Sequence, residues 1–204
     1  MFKRQDWRDK ELLVATDQVT PDLEELVASS SGVRLLPLPL GLSLGEYRNL
    51  AISRASGDYV CQWDDDDWYD SRRISLQVKA LEEAGSDAVF LSQWLIWWQA
   101  RSLLFLSHQR IWEGSILARR SALPIYPAME KGEDSAAIAF MLRHSKVSLM
   151  DAPSLYCYCV TGQNTYADSH FEGFLRRAAY VFTRAQFAEA FRSLDCLRLA
   201  RNII

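Results

Sequence analysis

The chain has 204 residues, a formal net charge of −3, 49% apolar and 24% charged residues. That length buries the core of one α/β domain, the balance is that of a soluble globular protein, and the acidic sign argues against a broad nucleic-acid surface. No apolar run approaches the roughly 18 residues of a membrane span. The charged opening "MFKRQDWRDKE" has no apolar core segment, so no signal peptide is expected. The four cysteines, Cys61, Cys157, Cys159 and Cys196, lack zinc-site spacing and are few for a disulfide scaffold. They read as reduced thiols of a cytoplasmic protein, with Cys157 and Cys159 filling a core from one face of a strand.

In chain order, "ELLVA" (Glu11 to Ala15) has the length of a buried strand. Thr20 and Pro21 open a helix as cap and first-turn proline. "VRLLPL" (Val33 to Leu38) is a second strand. Ser43 and Glu46 have capping-box spacing and start a helix that Gly57 closes. "YVCQW" (Tyr59 to Trp63) is a third strand, and Asp70 or Ser71 caps a helix with the apolar stripe Ile74, Val78 and Leu81. "DAVFL" (Asp87 to Leu91) is a fourth strand. This alternation predicts a mostly parallel sheet flanked by helices. Further on, the tryptophan-rich Ser92 to Ser107 stretch reads as a hairpin, Gly132 to His144 as an amphipathic helix, and "VSLM" and "SLYCYCV" as late strands. From about Phe171 the chain turns basic and helical, with Phe174, Tyr180, Phe182, Phe187 and Phe191 along it.

The feature that asks for chemistry is "CQWDDDDWYD", four carboxylates in a row between two tryptophans. It follows a strand of the predicted sheet, where ligands of such sheets gather. Hard divalent cations take oxygen ligands, and Mg²⁺ commonly binds substrate phosphates through one or two carboxylates. Asp64 and Asp66, alternate residues at a strand end, can reach one ligand, while Asp65 points elsewhere in an extended chain. A solvated acidic turn is the other reading. An EF-hand is disfavoured by the missing glycine at the sixth loop position and the missing downstream glutamate.

The segment "GEYRNLAISRASGDYVCQWDDDDWYDSRRISLQ" resembles the central part of family 2 glycosyltransferases, which adopt the nucleotide-diphospho-sugar transferase (GT-A) fold. The matching residues are Arg48 and Asn49, Ala55 and Gly57, then Asp64, Asp66 and Asp67. Two later stretches are similar as well: "KGED" (Lys131 to Asp134) to the family's Glu-Asp motif, and "TGQNTYADSHF" (Thr161 to Phe171) to a late Gly-x-Asn-Thr segment. The resemblance implies a Rossmann-like GT-A domain over residues 1–168, lacking the family's usual first strand and helix, with a helical extension over 169–204. A chain without that strand is expected to be marginally stable and weakly active, with unpaired apolar edges.

The resemblance also implies an activity: inverting, metal-dependent transfer of a sugar from a nucleotide-diphosphate donor to an acceptor hydroxyl on a carbohydrate or lipid-linked molecule. Mn²⁺ or Mg²⁺ would stabilise the diphosphate leaving group. On this reading Asp66 ligates the metal, and Asp64 meets the ribose or shares the metal through water. Asp65 belongs to the donor-contacting set. Asp17 meets the nucleobase, though the family has two adjacent acids where this chain has Thr16 and Asp17. Arg48 contacts the base or the diphosphate, or is a solvent-facing helix arginine. Asp134 is the general base and Glu133 contacts the acceptor or stands in for it; a helix-cap role for the pair is the alternative. His170 is a late metal ligand or diphosphate contact, or structural. Trp94, Trp97, Trp98 and Trp112 are read mainly as core, with sugar stacking as the other use. No nucleic-acid partner is expected; contact with a membrane surface stays open, and polysaccharide assembly is the setting by analogy. A nucleotidyltransferase is disfavoured, because no glycine-rich basic loop follows the first strand. The rival of another class is a non-catalytic remnant of the fold that acts as a binding module.

Overall fold

A computed structural model describes residues 1–186 and 189. The expectations for Phe187, Phe191 and Cys196 fall outside those residues. In chain order come β1 (Leu12–Thr16), α1 (Pro21–Ala28), β2 (Val33–Pro37), α2 (Leu44–Arg54), β3 (Tyr59–Cys61), β4 (Trp68–Tyr69), α3 (Arg73–Ala84), β5 (Ala88–Leu91), β6 (Leu95–Trp98) and β7 (Leu103–Leu106). Then follow β8 (Leu117–Arg119), α4 (Glu133–His144), β9 (Val147–Met150), β10 (Tyr156–Val160), α5 (Asp168–Arg176) and β11 (Tyr180–Val181).

Local chemistry explains several boundaries. The Thr20 hydroxyl accepts from the Leu23 N–H and Pro21 opens α1. Ser43 and Glu46 form a complete capping box on α2. That helix ends at Ala55, before Gly57. Helix α3 starts one residue later than its expected cap: Arg72 is the N-cap, and Asp70 reaches the Arg72 N–H from outside, at 2.9 Å. Tyr180, expected in a helix, lies in β11, which pairs with β7.

The strands form three sheets in the orders β1-β2, β3-β8-β5-β9 and β11-β7-β6-β10-β4. The fold is α/β, but the sheets are mixed, where a mostly parallel sheet was expected. Antiparallel strands cause this, β4 on β10 and β11 on β7 among them. Strand β8, too short to stand out in the sequence, runs antiparallel between β3 and β5. The β6–β7 hairpin adds another antiparallel pair.

The packed core sits in the second and third sheets. Trp98, Trp112, Phe90 and Tyr156 are among its fully buried side chains, so most of the tryptophan stretch is core. Cys157 and Cys159 are buried thiols in one cluster, and Cys61 is also unbridged. By contrast, no apolar side chain from Lys3 to Asp67 is buried. The edge of β1 away from β2 and the edge of β3 away from β8 have no ladder partner among the described residues.

Candidate active site

Strand β3 stops at Cys61, and the backbone turns at Asp65 and Asp66. The strand alternation expected to bring Asp64 and Asp66 together is therefore absent, and the turn sets their directions instead. Asp65 and Asp66 are exposed, Asp64 is half-buried and Asp67 is 2% exposed. Trp68 is buried, and Trp63 packs on Tyr69 with ring centroids 4.1 Å apart, so the row is not a free solvated loop.

Asp67 is the anchor. Its carboxylate accepts from the Tyr156 hydroxyl and from the Cys159 N–H at 2.8 Å, which pins the row to β10. Burial pushes its carboxyl well up, against the pull of those two bonds, and Asp64 and Asp66 add to the rise. Asp64 is gripped through its backbone: its N–H donates to Tyr69 Oη at 2.8 Å, and that hydroxyl donates to the Asp64 carbonyl at 3.2 Å. Gln62 Nε2 adds a bond to the Asp64 carboxylate at 3.1 Å. Burial and then the charge of Asp64 lift the Asp66 carboxyl above its ordinary value, with Asp65 adding to it.

Helix α2 brings a cation. Arg48 Nε donates to Glu133 Oε1 at 2.8 Å, where Glu133 is 2% exposed. Burial works against the Arg48 charge, but Asp64 and then Glu133 outweigh it and hold the guanidinium above its ordinary value. Arg48 thus lies between the acidic row and the start of α4. Asn49 fixes the same junction: its side chain donates to the Tyr126 carbonyl at 2.8 Å and accepts from the Tyr126 N–H at 2.9 Å. Gly45 makes the approach feasible, since an added Cβ would stand 1.9 Å from the Pro127 carbonyl oxygen.

Gly132, at φ 78°, is the N-cap of α4 and has no side chain to cap it, while Glu133 and Asp134 both lie in the first turn of that helix. Glu133 is tied to Arg48. Asp134, half-buried, holds only the adjacent Ser135 N–H at 2.7 Å and leaves its other oxygen free of a hydrogen bond among the described residues.

The late segment closes the site from a third side. Asn164 Nδ2 donates to Asp66 Oδ2 at 3.1 Å and to the Cys159 carbonyl at 3.0 Å. Lys131, just before Glu133, donates to the Thr165 carbonyl at 3.1 Å. His170 stacks on Tyr166, with centroids 4.4 Å apart, and meets Phe174 edge-on. Burial lowers its pKa, and Arg110 and Arg177 push in the same direction. Asp17 lies past the end of β1, and after burial its carboxylate is the next influence that raises the pKa of Tyr47 on α2, one residue from Arg48.

Among the described residues, no three His, Cys, Asp or Glu side chains are gathered to hold a metal ion. These residues therefore form no closed cage of such side chains. The exposed Asp66, with Asp64 and Asp65 close enough to raise its pKa further after burial, fits a different kind of site, in which one or two carboxylates hold a cation that substrate phosphates complete.

A model of glycosyl transferase family 2 matches residues 2–108, just over half of the chain. The chain belongs to glycosyl transferase family 2. The family match spans Arg48, Asn49 and the acidic row; Glu133, Asp134 and Asn164 lie beyond it and are joined to it by the contacts above. Comparison with curated proteins finds no match. Among solved structures, the fold is similar to S. aureus TarS, with a TM-score of 0.61 at 14% identity over 86% of this chain and 39% of that one. The TarS 1-349 structure gives 0.61 at 14% identity over 95% of this chain and 66% of that one. Its complex with UDP-GlcNAc gives 0.58 at 14% identity, over 95% and 65%. This chain spans less than two thirds of those relatives. At that identity the likeness shows a shared GT-A fold.

Residues that the sequence reading missed are Asp67 as anchor, the Tyr69 and Tyr156 hydroxyls, and Asn164 as a partner of Asp66. Asp67 and Asn164 both stand in stretches that resemble the family, but no sequence signal indicated their partners.

Proposed function

We propose that this protein transfers a sugar from a nucleotide-diphosphate donor to an acceptor hydroxyl, with inversion at the anomeric carbon. The observation that carries the reading is the meeting of three distant motifs: Arg48 between Asp64 and Glu133, and Asn164 on Asp66. Family membership and the resemblance to TarS, which is seen with UDP and with UDP-GlcNAc, support a nucleotide-sugar donor.

Asp66 would hold Mn²⁺ or Mg²⁺, with Asp64 and Asp65 beside it toward the donor. The cation, when bound, supplies Lewis-acid stabilisation of the departing diphosphate. Arg48 fixes the relation between the donor half and the α4 half of the site. Asp134 takes the acceptor proton: its neighbour Glu133 is neutralised by Arg48, and Asp134 is the carboxylate left with a free oxygen. Asp17 is the group for the nucleobase. His170 is the group nearest the late segment for a metal or diphosphate contact. Residues 1–168 are the catalytic domain and 169–204 an extension of it, and the acceptor is a carbohydrate or lipid-linked molecule. No helix among the described residues is long and apolar enough to cross a membrane.

The open strand edges and the weakly buried first third favour a second reading, a binding module without turnover. Calorimetric titration with UDP and Mn²⁺, followed by a screen of UDP-, GDP- and dTDP-sugars for transfer, separates the two. Asp66→Asn should lose Mn²⁺-dependent UDP binding while keeping its melting temperature. Wild-type affinity in that variant would mean that the acidic row is not the cation site.

A further inference from the structure

Arg73 opens helix α3 directly beneath the acidic row, and its side chain is wholly buried. Its Nε donates to Gln77 Oε1 at 3.0 Å, and Gln77 Nε2 in turn donates to the Ser115 carbonyl at 2.8 Å. The two terminal nitrogens of the guanidinium are buried without a hydrogen-bond partner among the described residues. No carboxylate pairs with it there. What surrounds it is aromatic: the guanidinium carbon lies 4.5 Å from the Tyr69 ring centroid, 5.0 Å from that of Tyr156 and 5.5 Å from that of Trp63.

An arginine cannot shed its charge on burial, so a fold that buries one must compensate it. The negative faces of three rings do part of this. Against burial, Cys61 and then Tyr69 and Tyr156 favour the charge, and Asp64 from the row adds a smaller part. The same rings carry the hydroxyls that hold the row: Tyr69 grips the Asp64 backbone and Tyr156 donates to Asp67. The two hydroxyls stand 3.5 Å apart.

We propose that Arg73 is a positioning residue, a buried permanent cation that draws Trp63, Tyr69 and Tyr156 together and through the two tyrosine hydroxyls holds the acidic row in place. The proposal rests on the preceding functional reading only where nucleotide binding is measured.

The test is amide hydrogen exchange, residue by residue, on the whole chain. The reporters are the Asp64 N–H, held by Tyr69, and the Cys159 N–H, held by Asp67, with the Phe90 N–H of β5 as the control. Arg73→Met removes the charge at similar length. It should speed exchange at Asp64 and Cys159 about tenfold, as expected for loss of one hydrogen bond each, and leave Phe90 unchanged. Arg73→Lys, which keeps the charge, should stay near the wild-type rate at both reporters. In parallel, Arg73→Met should weaken UDP binding in Mn²⁺ while Arg73→Lys restores part of it. Unchanged exchange at both reporters in Arg73→Met overturns the proposal. So does acceleration that includes Phe90, or equal acceleration in Arg73→Lys. If Arg73→Met does not fold, Arg73→Lys decides alone: wild-type protection supports the proposal and selective loss at Asp64 and Cys159 overturns it. A wild-type chain that binds no UDP with Mn²⁺ would sink the functional reading, and the exchange comparison would still judge Arg73.

Discussion

Asp66 and Asp67 are neighbours of one residue type, yet Asp66 is exposed at a turn and Asp67 is buried. Asp67→Ala removes the acceptor of two buried donors, the Tyr156 hydroxyl and the Cys159 N–H. Each donor left unpaired costs about 1–3 kcal/mol, which together is about 2–6 kcal/mol. Some of this is returned, because burial already pushes the Asp67 carboxyl up and the variant no longer buries it. A net loss of about 2–3 kcal/mol is therefore expected, a large fraction of the usual 5–15 kcal/mol of a domain. Asp67→Asn should lose less, since its carbonyl can serve Cys159 while its amide donates to the tyrosine oxygen. Asp66→Asn, at an exposed turn, should stay within about 0.5 kcal/mol of wild type. Urea unfolding followed by tryptophan fluorescence reads all three, with Trp63 and Trp68 flanking the row. An unchanged urea midpoint for Asp67→Ala, or an equal loss in Asp66→Asn, would refute the division of roles.

Asp134→Asn should keep UDP affinity and lower turnover about 100- to 10,000-fold in a transfer assay; unchanged turnover moves the base elsewhere. Gly45→Ala puts a Cβ 1.9 Å from the Pro127 oxygen and 2.9 Å from its carbonyl carbon, so α2 must lift from the Pro127 backbone. A cost of about 1–3 kcal/mol by calorimetry is expected, with weaker donor binding as Arg48 is drawn from Glu133; an unaltered melting temperature contradicts this. The carboxyl of Glu11 is pulled down to about 2, first by the Ser56 hydroxyl and then by the Ser56 N–H, with Arg34 helping. A depressed folded-state value stabilises the fold above the unfolded value of about 4.3, and that contribution fades as pH falls toward 2. Glu11→Gln should therefore show a shallower fall in melting temperature than wild type across that window, and parallel curves would count against it.

Much of the fold was legible because local rules act locally. The capping box fixed the start of α2, and the apolar runs on either side of Gln99–Arg101 gave the β6–β7 hairpin. What escaped was short or non-local. Strand β8 has three residues and β4 has two, too few for any periodicity, and their antiparallel pairings help make the sheets mixed. Asp64 and Asp66 were grouped by strand alternation, yet the strand ends at Cys61 and a turn does the grouping. Arg48 and Glu133 lie 85 residues apart, and Asp66 and Asn164 lie 98 apart. Such contacts have no local signature, and resemblance to a family is what pointed at both ends. Arg72 and Arg73 are adjacent and alike in the sequence; only the helix direction sends one to solvent and the other under the acidic row.

The unpaired edges of β1 and β3 bear on how this chain tolerates sequence change. A β-ladder joins backbone to backbone and is largely indifferent to which side chains it carries. Here the layer built from β1, α1, β2 and α2 is latched to the remainder by Asn49 on Tyr126, Arg48 on Glu133 and the close seat of Gly45. Side-chain latches can be undone by single substitutions. Mutational drift that a continuous sheet would absorb should therefore be purged at these few positions and permitted on α1, whose residues are all at least partly exposed.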